Sequence, residues 1–568
     1  MRSLGALVVL LTLVGCGDHT NETLTDGGVD GNAACAAAGG AQHEQTITVG
    51  GETRTYFLYV PETARCATGV PLWIDFHGTA GDPDPEEQYA NAGAMAAADA
   101  EGVILVRPRS RSKDEGGYPI YRWDENAGDI ARNLTFVEQL VDHVAETYTI
   151  DRAQIVVSGF SSGANMASQY LRPTALPVAG IATIGGGFWG VTSPELSRVP
   201  PRVYSMTGYR DYMRANFEPL RDLYLAAGLD ETRWYSREAN IGHDLYDWHF
   251  AELLPWLLHG DRASATAPAA TWVDESIATE SSLLSLLSTP SGIVAGGSGG
   301  ATFRRAAAGW TALGVIPAPT HAVQGIHITS LCSTGSKLYA AAQTTLYSST
   351  NDGATWTSLP TVPEPEAAYF GVAWLTSIDC GVNRSLLGAG LWVGVESTDD
   401  AASWHAAPLE VAQGTFAYQA SIASLARNAN GTVIAAGLGY AGRRATGGSF
   451  EPLSLPGTAQ WWTGVTSAGT SFWAVGDGGS IVRSTDDGQT WTHAASPVGD
   501  DFYAVAFADT QTGAAVGAHG AVVITHDGGA TWTDASIGKD VFLGAALWPD
   551  AHTLLVAGEH GTVERLSI

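Results

Sequence analysis

The sequence predicts two folded domains, an α/β domain followed by an all-β domain, and three observations predict them. Strands and one-faced helices alternate from residue 43 to about residue 262. Beyond that point long helical periodicity stops, and short strands separated by Gly-rich turns run to the end. Within that second part, a short segment ending in Trp recurs, as in an array of similar β units. A chain of 568 residues is in any case too long for one hydrophobic core.

The N-terminus reads as an export signal. Arg2 supplies a positive start, and the apolar run from Leu4 to Val14 is too short to span a bilayer. Leu13-Val14-Gly15-Cys16 resembles the bacterial lipobox, whose cysteine is lipidated after cleavage. That resemblance implies membrane attachment through Cys16, and Gly17 in place of Asp implies the outer membrane or cell surface. A secreted or periplasmic chain with an ordinary signal is the alternative. Residues 1–15 are thus expected to be a signal peptide. Residues 16–42, rich in Gly, Asp, Asn, Thr and Ala without periodicity, are expected to be a flexible tether.

The charge balance is acidic, 29 Lys plus Arg against 58 Asp plus Glu, and only Lys113, Lys337 and Lys539 are lysines. A nucleic-acid backbone would be repelled, so nucleic-acid partners are excluded. Four cysteines besides Cys16 remain for an oxidising compartment. The expected bridges are Cys35–Cys66 and Cys332–Cys380; no Cys-x-x-Cys or His cluster points to a metal.

Within 43–262, strands are expected at 57–60, 71–76, 103–106, 155–157, 180–184, 202–207 and 232–236. Helices are expected at 133–148, 162–171 and about 244–258. This alternation predicts a mostly parallel sheet covered by helices on both faces. Gly159-Phe160-Ser161-Ser162-Gly163 follows a strand and opens a helix. In such a Gly-x-Ser-x-Gly turn the serine is lifted out of the sheet, and its flanks must be small because strand and helix crowd them. Gly296-Gly297-Ser298-Gly299-Gly300 also fits the pattern but lies between two β-strands, where no such turn can form.

A neutral hydroxyl needs an imidazole base and a carboxylate to orient that base. In the α/β-hydrolase arrangement the order is Ser, acid, His, each after its own strand. Asp211 and His243 stand in those places, with Asp230 and Asp247 as rivals for the acid and His249 for the base. The oxyanion donors are expected to be the backbone N–H groups of Ser162 and, from the loop after His77-Gly78, Thr79.

Arg54-Thr-Tyr-Phe-Leu-Tyr-Val-Pro61, Pro71-Leu-Trp-Ile-Asp-Phe-His-Gly78 and the turn at Ser161 together resemble the esterase/depolymerase family of α/β-hydrolases. Feruloyl esterases, acetylxylan esterases and polyhydroxybutyrate depolymerases belong to it. The resemblance covers about residues 45–260. It implies serine-dependent, cofactor-free cleavage of esters on polymers or plant cell walls. By analogy Trp123 would line the acyl or alcohol pocket, with core packing as the other reading. The chain departs from the family in reading Gly-Phe-Ser-Ser-Gly and in the Asp-Leu-Tyr-Asp-Trp that follows His243.

Residues 263–269 read as a linker and 270–568 as a β-propeller. Ser349–Trp356, Ser397–Trp404, Ser484–Trp491 and Thr525–Trp532 resemble the Asp-box (BNR repeat), a turn of some propeller blades. A second repeated element occurs seven times, so seven blades are expected. The last copy lacks a fourth strand, which 270–273 would supply from the other end of the domain. The propeller is expected to bind a polysaccharide or other polymer, or to act as a scaffold. A sialidase-like glycosidase is disfavoured by the lack of an Arg-Ile-Pro motif and by few arginines. The remaining alternative is an adhesion protein with an inactive hydrolase domain.

Overall fold

The structure is a computed structural model. It describes residues 39–568 except 82–90, 116–117, 124–125, 173, 188–201, 212, 231, 240, 244, 246, 264–267, 318–325, 336, 343–344, 360–373, 382–383, 392–393, 408–420, 439, 458 and 460. Residues 1–38, which include the run read as a signal sequence, Cys16, most of the stretch read as a tether and Cys35, lie outside the described residues.

The first domain is built on an eight-stranded sheet. Its strands are β1 (Gly40–Val49), β2 (Glu52–Val60), β3 (Val70–Phe76), β4 (Ile104–Pro108), β5 (Ile150–Phe160), β6 (Gly180–Ile184), β7 (Arg202–Gly208) and β8 (Trp234–Ala239). They lie side by side in the order β1-β2-β4-β3-β5-β6-β7-β8. The β1–β2 and β2–β4 pairs are antiparallel, and every later pair is parallel. β1 is a difference from expectation, because it begins at Gly40, inside the stretch read as tether.

Among the described residues, five helices cover the sheet: α1 (Ala92–Glu101), α2 (Ala127–Ala145), α3 (Ser162–Ser168), α4 (Arg214–Ala226) and α5 (Asp247–His259). α2 begins six residues earlier than its apolar periodicity implies. Asn126 caps it by accepting the Asp129 N–H at 3.0 Å. Its buried stripe, Phe136, Val137, Leu140, Val141 and Val144, packs on one face of the sheet. α1 and α5 pack on the other, around Trp73, Val156, Phe250 and Leu254. Across the sheet centre, Arg107 of β4 pairs with Asp75 of β3 at 2.7 Å, both buried, and Ser158 of β5 donates to Asp75. A buried charge pair is stable only when its remaining lone pairs are also bonded, as here.

The second domain is a seven-bladed β-propeller. Six blades are consecutive four-stranded meanders: 283–315, 330–358, 374–406, 421–452, 462–494 and 502–534. The seventh takes three strands from 543–567, and its fourth, Val273–Asp274, pairs antiparallel with Val563–Ser567. Cys332 and Cys380 are bridged, with Cα atoms 5.6 Å apart, and join the first strands of blades 2 and 3. Cys66 is disulfide-bonded as well.

The segments ending at Trp356, Trp404, Trp491 and Trp532 form one repeated turn between third and fourth strands. In blade 5 the Ser484 hydroxyl accepts the Gly488 N–H at 3.0 Å, and Asp486 accepts the N–H and hydroxyl of Thr490 at 2.9 and 2.6 Å. The Thr490 hydroxyl and N–H hold the Asp486 carboxyl down at about 2. The turn thus satisfies its own polar groups.

The two domains dock through buried charges. Arg237 of β8 pairs with Glu252 of α5 at 2.8 Å and with Asp540 of the propeller at 2.7 Å. His519 lies 2.7 Å from both Glu252 and Asp500, and the Trp248 indole donates to Asp501 at 2.7 Å. The propeller offers to this interface the turns between its second and third strands, such as Ala518–Gly520 and Glu559–Gly561.

Candidate active site

The candidate site lies at the carboxyl ends of the parallel strands, where strand order puts several loop starts together. β5 delivers Ser161, which holds φ 55° and ψ −117°, outside the ordinary regions for an L-residue. The flanking glycines explain how this conformation is housed. A Cβ on Gly159 would lie 2.3 Å from the Gly163 carbonyl, and one on Gly163 would lie 2.0 Å from the Phe76 carbonyl oxygen. Only hydrogen fits at either position, so the strand–turn–helix geometry depends on both. Ser161 is 9% exposed, and its N–H donates to the Ile184 carbonyl at 2.9 Å.

β7 and β8 deliver Asp211 and His243. His243 Nδ1 lies 2.9 Å from Asp211 Oδ1, which also accepts the Met213 N–H at 2.6 Å. The imidazole packs on the Phe160 ring, with centroids 4.8 Å apart. Gly185, after β6, joins the groups: a Cβ there would meet Asp211 Oδ2 and His243 Cε1, each at 3.2 Å. A Cβ on the next residue, Gly186, would be 2.6 Å from the Ser161 carbonyl oxygen. The structure therefore brings Ser161, Asp211 and His243 around one glycine corner. The rivals lie elsewhere. Asp230 is exposed and closes a turn with Thr232, Asp247 opens α5, and His249 is fully buried inside α5.

Ser162 is the first residue of α3, where a backbone N–H has no acceptor within the helix. Gly78 lies opposite, since its Cβ would sit 3.5 Å from Ser161 Cβ; Thr79 follows it and is exposed. His77 fixes this loop. Its Nε2 accepts the Ser110 N–H at 3.0 Å, so Nδ1 carries the proton and donates to the Gly78 carbonyl. Burial pushes the His77 imidazole down to about 4, which keeps it neutral. Trp123 is 1% exposed; it donates to the His77 carbonyl at 3.1 Å and packs edge-on against Phe76. The structure thus places Trp123 in the core beneath the loop, the second of its two sequence readings, with its indole N–H satisfied by a buried carbonyl.

Reasoning from sequence missed Phe160 as a platform for His243 and the run Gly185-Gly186-Gly187. Three consecutive glycines directly after a buried strand were the available signal. Among the described residues, Glu252, His519 and Asp540 bring potential metal-ligand atoms within 4.8 Å of one another. The Arg237 guanidinium already lies among them and supplies the positive charge.

Residues 113–202 match the family model described as Phospholipase/Carboxylesterase. The bifunctional acetylxylan esterase/xylanase XynS20E of Neocallimastix patriciarum is 26% identical over 206 residues. That alignment takes in 35% of this chain and 28% of the length of the relative. YCF48 from Cyanidioschyzon merolae is similar over 52% of this chain and 99% of its own, at 16% identity and a TM-score of 0.44. A structure of YCF48 bound to D1 peptide covers 54% of this chain and 100% of its own, at 17% identity and a TM-score of 0.43. The chain joins an α/β-hydrolase domain, whose family match is to carboxylesterases, to a β-propeller whose seven blades are read from its own strand order.

Proposed function

We propose that the chain is a serine carboxylic-ester hydrolase working through an acyl-enzyme. The observation that carries this reading is Ser161 in its strained turn beside the Asp211–His243 pair. In the proposed reaction His243 takes the Ser161 proton as Oγ attacks the ester carbonyl, and Asp211 holds the imidazole and stabilises its charged form. The N–H groups of Ser162 and Thr79 receive the oxyanion. His243 then protonates the departing alcohol, and water attacks the acyl-enzyme by the same route in reverse. No metal or cofactor enters these steps. An acetylated or feruloylated polysaccharide, or a polyhydroxyalkanoate, is the substrate class we favour. The likeness to an acetylxylan esterase supports acetyl esters first.

Ser161→Ala is expected to lower hydrolysis of p-nitrophenyl acetate by roughly a thousand-fold or more, with the fold intact by circular dichroism. Equal rates in the two proteins would end the serine-esterase reading. Acetate release from acetylxylan against ferulate or hydroxybutyrate release would then rank the substrates.

The lipobox-like run supports export and anchoring through Cys16, with the enzyme at the outer membrane or cell surface. Cys16→Ala is expected to move the protein from the membrane pellet to the soluble fraction. Retention in the pellet would refute the anchor.

A further inference from the structure

We propose that the propeller positions the acid and base of the hydrolase domain, with Trp461 as its principal contact; this rests on the serine-esterase reading above. The loops Gly208–Asp211 and Ile241–His243 are one unit. The Tyr209 N–H donates to the Ala239 carbonyl at 2.8 Å and the Arg210 N–H to the Ile241 carbonyl at 3.0 Å. A Cβ on Gly208 would lie 2.0 Å from the Ile241 carbonyl oxygen, so the two loops touch backbone to backbone.

This unit is seated on the propeller at several points. The Tyr209 hydroxyl lies 2.9 Å from Glu238 of β8 and 2.9 Å from Ser282 at the start of blade 1. Its ring packs on His327, which precedes blade 2, with centroids 4.9 Å apart. Arg210 donates to the carbonyl of Ala423 in blade 4 and reaches that of Thr463 in blade 5 at 3.5 Å. These carbonyls belong to the first strands of adjacent blades. Trp461 completes the seat. A Cβ on Gly242 would lie 2.2 Å from Trp461 Cη2, so the indole edge bears on the backbone immediately before His243. Trp461 is itself buried, and its backbone N–H donates to Asp477 Oδ1 at 3.1 Å.

Ser161, Ser162 and Gly78 are held by β3, β5 and α3, inside the hydrolase domain. Asp211 and His243 are held from one side by that domain and from the other by the propeller. Triad geometry tolerates little error, since a misplacement of about 1 Å costs on the order of a hundred-fold in rate. Loosening the propeller side should therefore disturb the proton transfers while leaving the ester-binding side in place.

The test uses the full-length protein and p-nitrophenyl acetate. Trp461→Ala is expected to lower kcat by about ten- to a hundred-fold with KM changed less than about three-fold. Labelling of Ser161 by a fluorophosphonate should slow in parallel, and Trp461→Phe should restore part of the rate. Gly242→Ala adds the methyl that the indole excludes and is expected to lower kcat similarly. In the double variant that methyl has room, so the combined loss should be smaller than the product of the single losses. Independent, multiplicative losses, or wild-type kcat in Trp461→Ala, would overturn the proposal. So would a fall in kcat/KM carried by KM alone. Ser161→Ala run alongside separates the two claims: activity surviving there removes the serine-esterase reading itself.

Discussion

At Ser161 a single backbone conformation sets the geometry of the candidate site. An L-residue at φ 55° and ψ −117° persists only where its surroundings enforce it. Here the enforcement is steric, through the hydrogen-only spaces at Gly159 and Gly163. Gly163→Ala would press a methyl onto the Phe76 carbonyl, 2.0 Å away. It is expected to destabilise the protein by about 1–3 kcal/mol and to lower esterase activity, read from urea midpoints and initial rates. An unchanged midpoint would show that α3 can shift without cost. Glycines at these two positions do not by themselves single out Ser161, because Ser298 has them too; the strand before and the helix after Ser161, both legible in the sequence, tell the two apart. Ser298 sits in a short turn between two strands of blade 1, and its hydroxyl accepts the Ser282 N–H. Phe160 and Gly185 were not legible in the same way, because their contacts with His243 form only once β5 to β8 are assembled in one sheet.

Among the elements, the buried parallel strands were readable as apolar runs and the stripe of α2 as helical spacing. β1 was not. It is an edge strand with the polar sequence Gly-Ala-Gln-His-Glu-Gln-Thr-Ile-Thr-Val, which carries little alternation. α1 escaped for the opposite reason, since its many alanines define no apolar face. α5 was expected, yet half of its meaning was hidden: Phe250, Leu253 and Leu257 pack on the sheet, while Trp248 and Glu252 meet the propeller. That contact carries a pH dependence. Burial alone would lower the His519 pKa, but its hydrogen bonds to Asp500 and Glu252 outweigh burial and raise it to about 10. Arg237 also faces it, opposing the charge, and the rings of Trp248 and Phe542 lie alongside. A raised imidazole pKa stabilises the fold fully below its ordinary value near 6.5 and loses that contribution as pH rises toward 10. The melting temperature of the wild type should therefore exceed that of His519→Gln most at pH 6, by the equivalent of about 1–3 kcal/mol. The gap should narrow by pH 10; a constant gap would mean that the charge of His519 contributes nothing.

Across the whole molecule, each domain was legible and their union was not. Repeats and alternation are properties of one segment at a time, whereas Arg237, Tyr209 and Trp461 read in isolation as ordinary strand and turn residues. Only the docked arrangement shows Arg237 between Glu252 and Asp540, a buried charge that would be expensive without partners from both domains. The propeller closes on its own beginning, because Val273–Asp274, ahead of blade 1, completes the last blade.

The docking also gives the propeller a front and a back. In an antiparallel blade the turns between strands two and three lie at the opposite end from those between strands three and four. The hydrolase domain meets two of the first set, Ala518–Gly520 and Glu559–Gly561, so the Trp-ended turns at residues 349–356, 397–404, 484–491 and 525–532 face the other way. A macromolecule gripping that far rim would not compete with an ester for the approach to Ser161, and holding and cutting could proceed at the same time.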